Sequence, residues 1–197
     1  MERYSSGYLK IILGPMFAGK TTELIRIFNT HAKYDRDNIA VINYGMDTRY
    51  ANKEGVRYIV THDNNKLLSL SYISLLDFVT EVNVSKYNTI LINEGQFFKD
   101  LYVAVDMLVN KFNKKVYVCG LDGDFKRQKF GDILDLISIS DDVVKLKSIC
   151  SKCREAAIFT HRKISQGEQT VIGDNIYEPL CRKCYNNINK SKMIGTK

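Results

Sequence analysis

Gly14-Pro15-Met16-Phe17-Ala18-Gly19-Lys20-Thr21 decides the fold when it is read with Tyr8-Leu9-Lys10-Ile11-Ile12-Leu13 before it and Thr22-Glu23-Leu24-Ile25-Arg26-Ile27-Phe28 after it. The octapeptide fits G-x-x-x-x-G-K-[ST]. The run before it is a short, mostly apolar strand, and the run after it carries helical spacing. Strand, loop and helix are the arrangement a phosphate cradle needs. Gly14 and Gly19 permit backbone conformations that a side chain would block, so successive N–H groups can turn inward toward phosphate oxygens, assisted by the helix N-terminus. Lys20 would reach the β- and γ-phosphates, and Thr21 would offer its hydroxyl to magnesium. A glycine-rich turn with an incidental lysine spells the same residues, but the flanking elements favour the cradle.

Outward from that loop the chain alternates. Ile39-Ala40-Val41-Ile42, Thr89-Ile90-Leu91-Ile92, Val116-Tyr117-Val118-Cys119 and Val143-Val144-Lys145-Leu146 are short apolar or β-branched runs, with helical-looking segments such as Leu101–Val109 between them. This pattern predicts a parallel sheet covered by helices. Ligands bind such sheets at the carboxyl ends of the strands. The residues that follow the strands therefore carry the chemistry: Asn93-Glu94-Gly95-Gln96, Gly120-Leu121-Asp122-Gly123-Asp124, and the loop through Asp47-Thr48-Arg49. Glu94 is the candidate general base, able to accept the proton of an attacking hydroxyl, with Gly95 leaving room beside it. The competing reading is a carboxylate that only caps a helix starting near Phe98. Asp47 and Arg49 have a plainer alternative too, a solvated ion pair.

Two knuckles, Cys150-x-x-Cys153 and Cys181-x-x-Cys184, are separated by the 27 residues 154–180. Four thiolates in that spacing close a tetrahedral zinc site and leave no position for water or substrate, so the metal is expected to be structural. Redox dithiols are the alternative for either pair taken alone. No basic segment followed by an apolar one opens the sequence, and no apolar run approaches the ~18 residues of a membrane span, so a soluble, cytoplasmic protein is expected, where disulfides are rare. Cys119, set apart from the knuckles, reads as a buried strand residue.

With 197 residues, 45% hydrophobic and 26% charged, the chain can bury a real core, and it shows neither repeats nor low-complexity stretches. The expected division is 1–147 for the phosphate-binding α/β domain, 148–185 for a small zinc domain packed on it, and 186–197 for a basic, partly disordered tail. Much of the formal charge of +7 comes from the chain's end, where Arg182, Lys183, Lys190, Lys192 and Lys197 lie among Asn and Ser. Aromatic residues cluster near the strand ends and in the zinc segment: Phe97, Phe98, Phe125, Phe130 and Tyr177. Such rings more often fill a core, but a flat nucleobase could sit between them here.

Taken together, these residues resemble one family, the zinc-containing cytosolic thymidine kinases of cells, bacteria and large DNA viruses. The phosphate loop through Leu24, Asp47-Thr48-Arg49-Tyr50, Thr61-His62-Asp63, Glu94-Gly95-Gln96-Phe97-Phe98, Leu121-Asp122-Gly123-x-Phe125, and the cysteine pairs with Val171-Ile172-Gly173 and Tyr177 between them match in unbroken order from about Gly7 to Tyr185. The resemblance implies a P-loop (RecA-like) sheet with a small zinc-ribbon domain carrying a lasso loop. It implies transfer of the γ-phosphoryl group of ATP to the 5′-hydroxyl of deoxythymidine, or of deoxyuridine, in nucleotide salvage for DNA synthesis. It assigns Glu94 as base, and Gly14 to Thr21, Asp47, Thr48, Arg49, Asn93 and Gln96 to the nucleotide and its magnesium. Phe97, Leu121, Phe125, Phe130 and Tyr177 would surround the thymine ring, with Met16 and Thr160 near its 5-methyl end and main-chain groups of Gln169, Thr170, Val171, Ile172 and Gly173 holding the base. A homotetramer inhibited by dTTP, with neither nucleic acid nor membrane as partner, is also implied.

Two departures stand out. Asn93, whose amide brings no charge to the metal, occupies a position where the family usually has Asp. Lys129 stands where Pro commonly precedes the phenylalanine matching Phe130, and is expected to loosen that wall. Asn93 also leaves room for a low-activity dTTP-binding regulator, and phosphate loop, cysteines and positive charge together would suit a zinc-ribbon ATPase stimulated by nucleic acid.

Overall fold

The structure, a computed structural model, describes residues 6–34, 39–46, 57–61, 65–81, 84–164 and 175–194. Strand β1 (Tyr8–Leu13) runs into the glycine-rich loop and helix α1 (Lys20–Tyr34); β2 (Ile39–Tyr44), β3 (Arg57–Val60), β4 (Lys66–Tyr72) and helix α2 (Leu75–Glu81) follow. Then come β5 (Thr89–Ile92), helix α3 (Leu101–Asp106) with a wider turn through Lys111, β6 (Lys115–Gly120) and β7 (Asp142–Lys145). These seven strands form one sheet in the order β3-β4-β2-β5-β6-β1-β7. Every pairing is parallel except β3 with β4, so β1, β2, β4, β5, β6 and β7 all end at one edge.

The alternation along each strand builds two cores. Leu9, Ile11, Ile42, Ile90, Ile92, Val116 and Val118 face α2, α3 and Phe98 on one side. Ile12, Val41, Leu91, Tyr117 and Cys119 face Leu24 and Ile27 of α1 on the other. A strand buried on both faces reads as the continuous apolar run that Thr89-Ile90-Leu91-Ile92 displays, and all four of its residues are buried. The parallel α/β architecture expected from the sequence is the architecture found. The β3–β4 hairpin was not anticipated, because Lys66–Tyr72 mixes Lys, Ser and Leu without clean alternation and is half exposed at the sheet edge.

Residues from Ser148 onward form two further small sheets and a helix with an apolar cluster of their own. They contain β8 (Ser148–Ile149) paired with β9 (Ala156–Ala157), β10 (Phe159–Arg162) paired with β11 (Tyr177–Leu180), and helix α4 (Arg182–Ile194). Their buried centre is Cys150, Ala157, Leu180, Cys181 and Tyr185, with Phe159 and Ile188 against it. Residues 186–194, read from composition as part of a partly disordered basic tail, are helical as far as Ile194. Tyr185 and Ile188, three residues apart and so on one face of the helix, pack it against that centre.

Candidate active site

The loop after β1 adopts the backbone that the glycines predicted. Gly14 has φ +152° and Gly19 φ +80°, while the non-glycine Phe17 is held at φ +63°. A Cβ on Gly14 would meet the Leu146 carbonyl oxygen at 2.7 Å, whereas one on Gly19 would meet nothing within 4 Å. Gly14 is therefore required for close approach. Gly19 is required for its left-handed backbone beside open space, which suits a loop that must admit phosphate oxygens. Lys20 lies in the first turn of α1, buried, with Nζ donating to the Pro15 carbonyl at 2.8 Å. Burial lowers its pKa, against the raising influence of Glu94, Cys119 and Asp122. The ammonium is thus parked on its own loop and in the electrostatic field of the carboxylate proposed as base. Ser148 Oγ donates to the Phe17 carbonyl at 3.0 Å, and the Met16 N–H donates to Thr160 Oγ1 at 3.0 Å, so the cysteine unit buttresses the cradle from above.

At the end of β5 the sheet delivers Asn93 and Glu94. Glu94 has φ 54° and ψ 43°, a left-handed conformation that costs a non-glycine residue free energy and that clusters at functional sites. This turn swings the carboxylate out of the strand line. Gln96, 3% exposed, holds it there: Nε2 donates to Glu94 Oε2 at 2.6 Å, while its Oε1 accepts the Leu121 N–H at 3.0 Å. Glycines make room for this amide, because a Cβ on Gly120 would lie 2.3 Å from Gln96 Oε1 and one on Gly131 2.1 Å from the Gln96 carbonyl oxygen. Gln96, expected at the nucleotide, joins Glu94 to the loop after β6.

Asn93 is buried and fully engaged. Its Nδ2 donates to Asn43 Oδ1 at 2.9 Å, and its Oδ1 accepts from the Cys119 thiol at 3.1 Å and lies 3.5 Å from Thr21 Oγ1. Burial, with Glu94 next in weight, pushes the Cys119 thiol up to about 12, so it stays protonated and is a donor to that oxygen. The sequence reading placed Cys119 correctly as a buried strand residue but gave no sign that it borders the site. Asn43, on β2, was also missed. Both are brought in by the register that sets Ile92 beside Ile42 and Val118.

The aromatic residues near the strand ends meet one another, with some changes of membership. Phe97 stacks on Tyr44 at 5.4 Å between centroids and meets Phe130 edge-on at 5.4 Å. Phe98 is core rather than wall, fully buried against α3. Tyr44, at the end of β2, joins the wall without having been foreseen. Lys129, before Phe130, has partners of its own. The lysine pairs with Asp135 and, at 3.6 Å, with Asp132, its backbone bridges to Gly123, and Phe130 is 8% exposed. Leu121 and Phe125 lie in the loop after β6, and Tyr177 and Thr160 on the β10–β11 pair. Asp47, Thr48, Arg49, His62, Asp63 and Gln169 to Gly173 lie outside the described residues.

The four knuckle sulfurs all lie within 4.8 Å of one another, with Cys153 and Cys181 3.6 Å apart. That separation is far beyond a disulfide bond but close to the ~3.8 Å between thiolates around a tetrahedral zinc at ~2.3 Å. The donor set fits zinc by softness, number and spacing. Among the described residues no helix is long and apolar enough to cross a membrane.

A family model described as thymidine kinase matches residues 7–185. A thymidine kinase of Oryza sativa subsp. japonica is 39% identical over 91% of this chain and 66% of its own length. Those of Sheeppox virus and Bacteroides thetaiotaomicron are 39% and 37% identical, over 91% and 93% of this chain and 97% and 89% of theirs. Among solved structures, domain III of the Thermotoga maritima replication initiation protein DnaA is similar at a TM-score of 0.40 and 16% identity, over 70% of this chain and 54% of that one.

Proposed function

This chain belongs to the thymidine kinase family, a kinase transferring phosphate to thymidine, and on that premise we propose how its residues divide the work. ATP lies with its phosphates in the Gly14–Thr21 loop. Lys20 leaves the Pro15 carbonyl to meet the β- and γ-phosphate oxygens, where its charge is needed. Thr21 Oγ1 and Asn93 Oδ1 face the place where magnesium would be held, and the ion, when bound, neutralises charge developing on the transferred group. Glu94 accepts the proton of the thymidine 5′-hydroxyl as that oxygen attacks the γ-phosphorus in line, while the bond from that phosphorus to the β–γ bridging oxygen breaks and ADP leaves with the electron pair. Gln96 keeps the carboxylate aimed, and because it also fixes the Leu121 N–H, base and nucleoside wall move as one piece.

The observation that carries this assignment is the left-handed Glu94 at the carboxyl end of β5, braced by Gln96 and sharing its field with the buried Lys20. Strain of this kind persists only where the surroundings impose it. Thymine would be bounded by Phe97, Leu121, Phe125, Phe130 and Tyr177, with Met16 and Thr160 at its 5-methyl end and the main chain of Gln169 to Gly173 holding its edge. Zinc in the four-cysteine cluster would then be structural. The finer family traits, a cytoplasmic homotetramer inhibited by dTTP, belong to the same proposal.

The test is incubation with ATP labelled on its γ-phosphate and a panel of nucleosides. Label should pass to thymidine and deoxyuridine, weakly to deoxycytidine, whose exocyclic amine would face donors, and not to purine nucleosides. Equal labelling of deoxycytidine and thymidine would overturn the pocket assignment. Asn93 favours one other reading, a dTTP-binding regulator, since its amide brings the metal no charge. Tight dTTP binding without transfer at any magnesium concentration would decide for it.

A further inference from the structure

The loop that carries Phe125 is gripped by the cysteine unit at three points. Tyr185, the residue after Cys184, is buried and its hydroxyl donates to the Phe125 carbonyl at 2.6 Å. Arg162, on β10 and 2% exposed, lays its guanidinium over the Phe125 ring with Cζ 3.5 Å from the centroid. Arg127, two residues beyond Phe125 and held at φ +67°, stands over the Tyr185 ring at 4.7 Å and the Phe159 ring at 5.5 Å, and donates through Nη1 to Asn186 Oδ1 at 3.1 Å. The loop is closed on itself as well. Asp124 Oδ1 accepts the Lys126 N–H at 2.8 Å and the Gln128 N–H at 2.9 Å, so Phe125 cannot shift without moving the whole turn.

We infer that Tyr185 and Arg162 are positioning residues that fix the plane and depth of Phe125, so that the fold of the four-cysteine unit is translated into nucleoside affinity. The inference rests on the reading that Phe125 borders the thymidine base. Each grip acts on a different degree of freedom. The Tyr185 hydroxyl sets where the backbone of Phe125 stands, and the Arg162 plane sets how its ring is tilted. Arg162 is suited to this because a planar guanidinium stacks over a ring face, whereas an ammonium is a point charge. Neither residue needs to touch substrate.

The experiment measures thymidine KM, ATP KM, kcat, bound zinc and melting temperature for Tyr185→Phe, Arg162→Met, Arg162→Lys and Phe125→Ala in the full chain. Tyr185→Phe removes one hydroxyl, and should raise thymidine KM about 2- to 10-fold, the worth of one neutral hydrogen bond, with kcat and ATP KM within about twofold. Arg162→Met should raise it by a similar factor, and Arg162→Lys should recover part of that loss because the cation remains. Adding Tyr185→Phe to Phe125→Ala should then change nothing further. The inference is overturned if zinc-replete Tyr185→Phe and Arg162→Met keep thymidine KM within twofold while Phe125→Ala raises it, or if thymidine and ATP KM rise by the same factor. It is overturned also if the effects of Tyr185→Phe and Phe125→Ala simply add. A different failure, thymidine KM unchanged in Phe125→Ala itself, would show that Phe125 does not border the base and would remove the premise instead. Should Tyr185→Phe fail to fold, the Met and Lys substitutions of Arg162 carry the same test.

Discussion

The sheet and the cysteine unit solve the same problem by different physics. The sheet places its chemistry at the ends of strands buried on both faces, where Ile90, Leu91 and Ile92 lose all contact with water and a wrong register would move a whole apolar row. The cysteine unit buries five residues at its centre, two of them the thiols Cys150 and Cys181. So small a core does not offset the entropy of ordering its strands and helix, and a metal is the usual remedy. Position is thus secured in one region by apolar burial, and in the other by contacts with the sheet and its loops, through Thr160, Ser148 and Tyr185, to which the proposed thiolate ligation would add.

The largest effect should come from removing a ligand. Cys153→Ser or Cys184→Ser forfeits much of a binding free energy that is ~10–16 kcal/mol in structural zinc peptides. Thymidine phosphorylation should vanish, zinc should fall well below one per chain, and circular dichroism should retain most of the α/β signal. If full activity survived with zinc absent, the two regions would not differ in the way described.

Next comes Glu94→Gln, which keeps the Gln96 contact possible while removing the acceptor of the hydroxyl proton. Turnover should fall by about 10²- to 10⁴-fold with thymidine and ATP binding nearly unchanged in equilibrium titration. An undiminished rate would free Glu94 of the role. Lys20→Ala should differ in kind, weakening ATP binding along with rate. A nucleotide titration separates the two, because Glu94→Gln should leave that curve in place.

The smallest effect concerns Asn93→Asp. A carboxylate there should lower the magnesium concentration giving half-maximal rate, since it is a stronger acceptor than an amide. Yet its second oxygen would face Asn43 Oδ1 across the 2.9 Å now bridged by an N–H, so Asn43 must turn its amide to donate. A cost of about 1–3 kcal/mol, seen as a melting temperature lowered by a few degrees, should accompany the magnesium effect. An Asp variant with unchanged magnesium dependence and unchanged stability would place residue 93 away from the metal.

How much of this was legible varied with the distance each contact spans. Gly14, Gly19, Lys20 and Thr21 are fixed by one local motif, and the flanking strand and helix follow from periodicity alone. Glu94 was legible for a nearby reason, because in a parallel sheet the residue after a buried run must emerge at the ligand edge. Cys119, Asn43 and Tyr44 were not. Each looks like an ordinary strand residue until the register is known, and their proximity to Asn93 or Phe97 depends on β2, β5 and β6 lying side by side. The partners of Lys129 were hidden too, since Asp132 and Asp135 are close in sequence but only the folded turn aims them at its ammonium.

The amino-acid sequence by itself determined the strand–loop–helix cradle, the parallel α/β class, the four thiol ligands and the candidate base, because each depends on residue types within a few positions of one another or on a period that survives without knowing the fold. Only the tertiary structure decided which amide Asn93 meets, that Gln96 braces Glu94, and that Tyr185 and Arg162 reach back to Phe125. Apart from the Gln96–Glu94 pair, two positions apart, those contacts join residues tens of positions apart, and their formation is governed by strand register and by the docking of one unit on another, quantities that no local pattern encodes.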